Sequence, residues 1–236
     1  MLPCATSSRS FVYRCLIASA ALGLIAGCGG EPSRPKPVLH VMGAILVDQN
    51  SPTGGPYEVA VVVSLDSEPV TDAVVTMNGT PLLYTADPSV PEHTGYAGLV
   101  ALADGAEASL SVTCAGQVRS AQATSPGKVQ ILSPAPGATF ADGETIPVSW
   151  SALANGSLCI VACGDSTNAM AGTMLLPKTA TTCNIPASET HPPGSRISVM
   201  SLSGQGALPT PDLRDWVGQD GFWISSQSWV DVQITS

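Results

Sequence analysis

Period-two alternation of apolar and polar residues narrows the fold of this chain more than any other feature. In Tyr57–Leu65, "YEVAVVVSL", Tyr57, Val59, Val61, Val63 and Leu65 fall on one side, and Glu58, Ala60 and Ser64 on the other. Successive side chains point to opposite faces of a strand, so the stretch predicts a half-buried strand. The period recurs at Leu110, Val112 and Cys114, at Ile146, Val148 and Trp150, and at Val230, Val232 and Ile234. Asn78-Gly79 sits between two β-rich runs, and both residues accept the positive φ of a type I′ turn, so a hairpin is predicted there. One short helix is predicted, with Thr210 as its cap, Pro211 at its first position and Gly218 at its end.

Composition agrees with an all-β chain. Only 11% of residues are charged, and 23 glycines and 20 prolines supply turns. The formal net charge is −9 and the nine basic residues are scattered. Nucleic acid is therefore excluded as an expected partner, because phosphate binding needs clustered Lys and Arg.

The N-terminus carries an address. Arg9 and Arg14 precede the apolar run Cys15–Cys28, "CLIASAALGLIAGC". It is shorter than the ~20 apolar residues of a membrane-spanning helix and has the order of a secretion signal. Its end, Leu24-Ile25-Ala26-Gly27-Cys28, resembles the lipobox of bacterial lipoproteins. That resemblance implies cleavage before Cys28, acylation of Cys28 and, with Gly29 next and no aspartate, sorting to the outer membrane. Two or more chains give stable anchoring. Residues 28–37 are then the acylated cysteine and a Pro-rich flexible tether. Without residues 1–27, seven basic residues remain against 18 acidic ones, a net charge of −11.

The polar stretch "ATSPGK" (Ala123–Lys128) marks the expected domain boundary. It gives two segments, 38–126 and 127–236, each of sandwich size. "PVTDAVVTMNGTPLLY" (Pro69–Tyr84) resembles the central hairpin of bacterial Ig-like modules. "ILSPAPGATFADGETIPVSW" (Ile131–Trp150) is similar to the opening of Ig-like or fibronectin-III-like domains. The resemblance implies two tandem immunoglobulin-like β-sandwich domains after the signal peptide and tether.

"IVACGDSTN" (Ile160–Asn168) resembles the nucleophile block of GDSL/SGNH hydrolases, which would make Ser166 the nucleophile. A serine nucleophile needs a base within hydrogen-bond reach. That family takes its base from a late Asp-x-x-His, but the histidine after Ser166, His191, has Ser188 at the aspartate position. The Gly-x-Asn-Asp block is missing, and strand-rich sequence replaces the helices of a doubly wound fold. The stretch is read as a polar turn, and the chain as not an enzyme. Metal sites are not expected either. His40, His93 and His191 are far apart, and Asp165 with Asn168, or Asp212 with Asp215, supplies too few oxygens for calcium. No cofactor is expected.

Besides Cys28 the mature chain has Cys114, Cys159, Cys163 and Cys183. An exported chain favours disulfides. Four residues of strand span ~13 Å, beyond the ~7 Å that a disulfide permits, so Cys159 and Cys163 do not pair with each other. Cys183 shares a face with Ile185 and is expected to join Cys159 or Cys163. Cys114 reads as a buried thiol.

All four tryptophans lie in the second half. Trp150 alternates with Ile146 and Val148 and reads as core. If Phe222 and Ile224, and later Val230, Val232 and Ile234, face inward, Trp223 and Trp229 face outward. There they either pack against residues 205–220 or the other domain, or form a binding face for a protein or a glycan. The expectation is a lipid-anchored, non-catalytic binding, spacer or assembly module of the cell envelope. A glycan-binding module using Trp223 and Trp229 is the alternative.

Overall fold

In the computed structural model, residues 36–48, 50, 54–86, 94–152, 154–165, 170–186, 194–209 and 213–235 are described. The strands run in the order β1 (Leu39–Asp48), β2 (Tyr57–Leu65), β3 (Glu68–Pro69), β4 (Val74–Met77), β5 (Thr80–Pro81), β6 (Leu83–Thr85), β7 (Gly95–Val100), β8 (Glu107–Cys114) and β9 (Gln117–Thr124). They continue with β10 (Ile131–Ser133), β11 (Thr139–Ala141), β12 (Ile146–Trp150), β13 (Leu158–Asp165), β14 (Met170–Pro177), β15 (Thr182–Ile185), β16 (Gly194–Gly206) and β17 (Gly221–Thr235). The chain is all-β, as the alternation requires. Between β4 and β5, Asn78 and Gly79 have φ of 52° and 77°, the two positive values of the expected turn. The Asn78 side chain accepts a hydrogen bond from the Ser109 N–H, which ties the turn to β8.

One ten-stranded sheet carries the whole unit, in the order β14-β13-β16-β17-β1-β2-β7-β6, with β11 added to β17 and β3 to β2. A four-stranded sheet (β5-β4-β8-β9) and a three-stranded sheet (β10-β12-β15) complete two sandwiches. The first core gathers Val59, Val61, Val75, Met77, Leu110 and Val112. The second gathers Ile146, Val148, Trp150, Cys159, Val161, Ile197 and Val199. β9 ends at Thr124 and β10 starts at Ile131, so residues 125–130 connect the two.

The last strand crosses that division. Alternation suggested two separate closing strands, but residues 221–235 form one strand of 15 residues. Its Phe222 and Ile224 belong to the first core, and its Val230, Val232 and Ile234 to the second. Between them, Ser226 and Ser228 lie on the same face and are buried, as are Ser201 and Ser203 on the neighbouring β16. These hydroxyls form a polar seam between two apolar cores. Ser226 Oγ accepts the Val129 N–H there, which ties down the connecting segment. Fully burying Phe222 and Ile224 contributes about 3–6 kcal/mol to the first core. Domains are stable by only about 5–15 kcal/mol, so the first sandwich depends on the far end of the chain.

The outer face of the large sheet is covered in its middle. Residues 213–216 form a single 3₁₀ turn, shorter than the predicted helix, and Thr210 and Pro211 lie outside the described residues. Gly218 ends it with φ of 76° and donates its N–H to Ser64 Oγ. Ala207, Trp216 and Val217 pack on Met42, Val62, Leu202 and Trp223 in a third apolar cluster. This explains why Val62 and Ser64 are buried on the face of β2 that alternation leaves to solvent.

Candidate functional site

Several sequence-derived candidates fall outside the described residues. These are Cys28, His93, Ser166, Asn168, Ser188, His191 and Asp212. The Gly164-Asp165 end of β13 is described. β13 and β14 are antiparallel neighbours, with Gly164 opposite Met170. Gly164 and Asp165 therefore end a strand whose antiparallel neighbour is the next described element, and among the described residues no helix lies between β13 and β14 as a doubly wound hydrolase requires. Among the described residues no group of three His, Cys, Asp or Glu side chains is placed to hold a metal ion.

His40 lies on β1, directly opposite Ser64 on β2, and its Nδ1 is 3.1 Å from Asp220 Oδ2. Serine, histidine and aspartate are thus neighbours, but Ser64 is 1% exposed and its Oγ holds the Gly218 N–H. Asp220 Oδ1 also accepts the Val41 N–H. The group fastens β1 to the start of β17, and a nucleophile buried in this way has no path to a substrate.

The four cysteines described are unbonded. Cys159 and Cys163 both point into the second core from β13, and Cys183 packs on that core from β15 in the facing sheet. Burial pushes the Cys159 thiol up to about 11, with the nearby Cys183 adding to the effect. The expected bridge from Cys183 to Cys159 or Cys163 is not formed in this structure. Burial also raises Cys183 and Cys114, the latter with a smaller contribution from Asp72. These are inert thiols, since reactivity requires the thiolate.

The two tryptophans behave differently. Alternation assigns both to the face opposite Phe222 and Ile224, and both are there, but Trp223 is not exposed. It is 7% exposed, covered by Ala207, Trp216 and Val217, and its Nε1 donates to the Ala207 carbonyl at 2.6 Å. β16 also approaches β17 closely beside it. A Cβ at Gly204 would run into the Phe222 carbonyl and sit 2.8 Å from Trp223 Cα, and one at Gly206 would meet the Asp220 carbonyl. Glycine pairs inside a strand signal such an approach, so "SGQG" (Ser203–Gly206) was the available sequence clue.

Trp229 is half-buried. The Arg196 guanidinium lies 5.6 Å from its ring centroid, within cation–π range. Arg196 is fixed in turn by two hydrogen bonds to Asp231, at 2.7 and 3.1 Å. The hydrogen bond from Arg196 holds the Asp231 carboxyl below its usual range, and the same bond raises Arg196. Trp229 also borders a cleft. Its volume is ≈ 630 Å³, and Lys128, Gln130, Pro134, Pro136 and Ser151 line it as well. It opens where the large sheet is interrupted. β1 follows β17 only to Gln227, and β11 joins the same strand only at Gln233. Another cleft, ≈ 350 Å³, lies between β9 and the start of β17, with Arg119 and Asp220 on its rim.

No family model matches the sequence, and no curated protein matches it. Among solved structures it is similar to the fibronectin(III)-like modules of CbhA from Clostridium thermocellum, at 13% identity over 82% of this chain and 94% of that one, with a TM-score of 0.26. It is also similar to a two-domain fibronectin type-III segment of chicken tenascin, at 11% identity over 82% and 99%, with a TM-score of 0.26. A third is the IG1+IG2 pair of DIP-gamma, at 9% identity over 86% and 99%, with a TM-score of 0.24. The scores are low, and the sandwich reading rests on the sheets and cores described above.

Proposed function

We propose that this chain is a non-catalytic binding and spacer module of the cell envelope, held at the outer membrane by acyl chains on Cys28. The observation that carries the spacer reading is β17, which supplies side chains to both cores and so couples the two sandwiches. A hinge between modules requires a connection that moves without disturbing either core. Here movement would pull Phe222 or Val230 out of its packing. The tether of residues 29–37 sets the body off the bilayer, and the acidic surface keeps it off anionic headgroups.

Fractionation tests the anchor. The mature protein is expected in the detergent phase, beginning at lipid-modified Cys28, and Cys28→Ser is expected to leave the precursor unprocessed. A soluble mature protein beginning at another residue would overturn the reading. Crosslinking of the anchored form, followed by capture, then identifies what the module holds.

A further inference from the structure

We propose that the cleft beside Trp229 binds an uncharged pyranose chain. The inference deepens the binding-module reading and rests on it. The cleft has the size of small-molecule sites, which span ~300–1,000 Å³, and it is open. Its lining combines an indole, an amide side chain from Gln130, a hydroxyl from Ser151 and the flat ring of Pro136. Sugars present one apolar C–H face and a rim of hydroxyls. An aromatic ring takes the first, and amides and hydroxyls take the second.

Charge selects within the sugars. No carboxylate is among the described residues lining the cleft, although the mature chain carries 18 acidic residues against seven basic ones. Lys128 is the one charged side chain among them. The Arg196 guanidinium, already committed to Asp231, does not line the cleft. Arg196 therefore contacts Trp229 from outside the cleft lining. Arg196 and Asp231 instead hold the indole still, so less ordering entropy is lost when a ring stacks on it.

A peptide added as a strand is the competing occupant, and the backbone opposes it. The Asp231 carbonyl on this edge of β17 already accepts the Gly137 N–H. Pro134 and Pro136 opposite have no N–H to offer. Recognition by side chains suits the site better than a ladder of main-chain bonds.

The test uses the mature protein in detergent, titrated with cellotetraose, with the tetramer of N-acetylglucosamine and with polygalacturonate. Tryptophan emission and calorimetry give the affinity. Saturable binding of one of the two neutral tetramers is expected, weakened roughly tenfold or more by Trp229→Ala. Gln130→Ala, a change at an exposed side chain, is expected to weaken it in the same direction without altering the fold. Binding of neither tetramer, binding of polygalacturonate alone, or equal affinity in both variants and the wild type would each overturn the proposal. None of these outcomes bears on fractionation, so a failure here leaves the anchor and spacer reading to its own test.

Discussion

Truncating Trp223 to alanine should reveal what covers the outer face of the large sheet. The ring is 7% exposed and packs with Met42, Val62, Leu202 and Trp216. Core Trp→Ala changes cost about 3–5 kcal/mol. The change also strands the Ala207 carbonyl, which accepts from Nε1 at 2.6 Å; a buried group left unpaired costs about 1–3 kcal/mol. Ala207 is only partly buried and its carbonyl can relax toward water, so the lower end applies, about 3 kcal/mol. Trp223→Phe keeps most of the apolar contact and loses the donor, for about 1–1.5 kcal/mol. Trp229→Ala gives up a half-buried ring and a cation–π contact of about 0.5–1 kcal/mol, so roughly 1 kcal/mol in all. Urea unfolding at equilibrium, with slopes compared between variants, measures all three. A Trp223→Ala loss below about 1 kcal/mol, or equal to that of Trp229→Ala, would refute the buried reading.

Two further outcomes follow from the same geometry. Gly204→Ala places a Cβ against the Phe222 backbone at φ 152° and is expected to cost about 2–3 kcal/mol, read as a lowered thermal midpoint; an unchanged midpoint would contradict the close approach. Cys159 is protonated in the fold up to about 11 while the unfolded thiol ionises near 9.0, so in the presence of reductant stability should fall as pH rises between those values. The slope is at most about 1.4 kcal/mol per pH unit, and the difference between wild type and Cys159→Ala isolates it.

The strands were legible because burial on one face writes a period of two into the residues. Ile146, Val148 and Trp150 are all buried as alternation requires, and Asn78-Gly79 turns as its φ preferences require. What escaped was long-range. Val62 and Ser64 on β2 are buried by a segment some 150 residues later, and no local pattern records that contact. The unity of β17 escaped for a different reason. "SSQS" (Ser225–Ser228) breaks the apolar alternation, yet Ser226 Oγ accepts from Val129 N–H and Ser225 Oγ donates to the Ile45 carbonyl. A buried hydroxyl is tolerated once paired, and the pairing partner lies far away in sequence. The candidate cleft was half legible. Trp229 was singled out by parity, but Gln130 and Ser151 come beside it only through the gap between β1 and β11.

The parallel pairing of β1 and β17 gives the body a direction of mechanical strength. β1 begins at Leu39 and β17 ends at Thr235, toward opposite ends of the parallel pair. A pull applied between Leu39 and Thr235 acts along both strands in opposite senses. Seven register pairs, from Met42 with Gly221 to Asp48 with Gln227, then slide against one another together. Peeling would break such bonds one at a time, whereas shear strains them all at once, so the β1–β17 pairing is a clamp that resists extension.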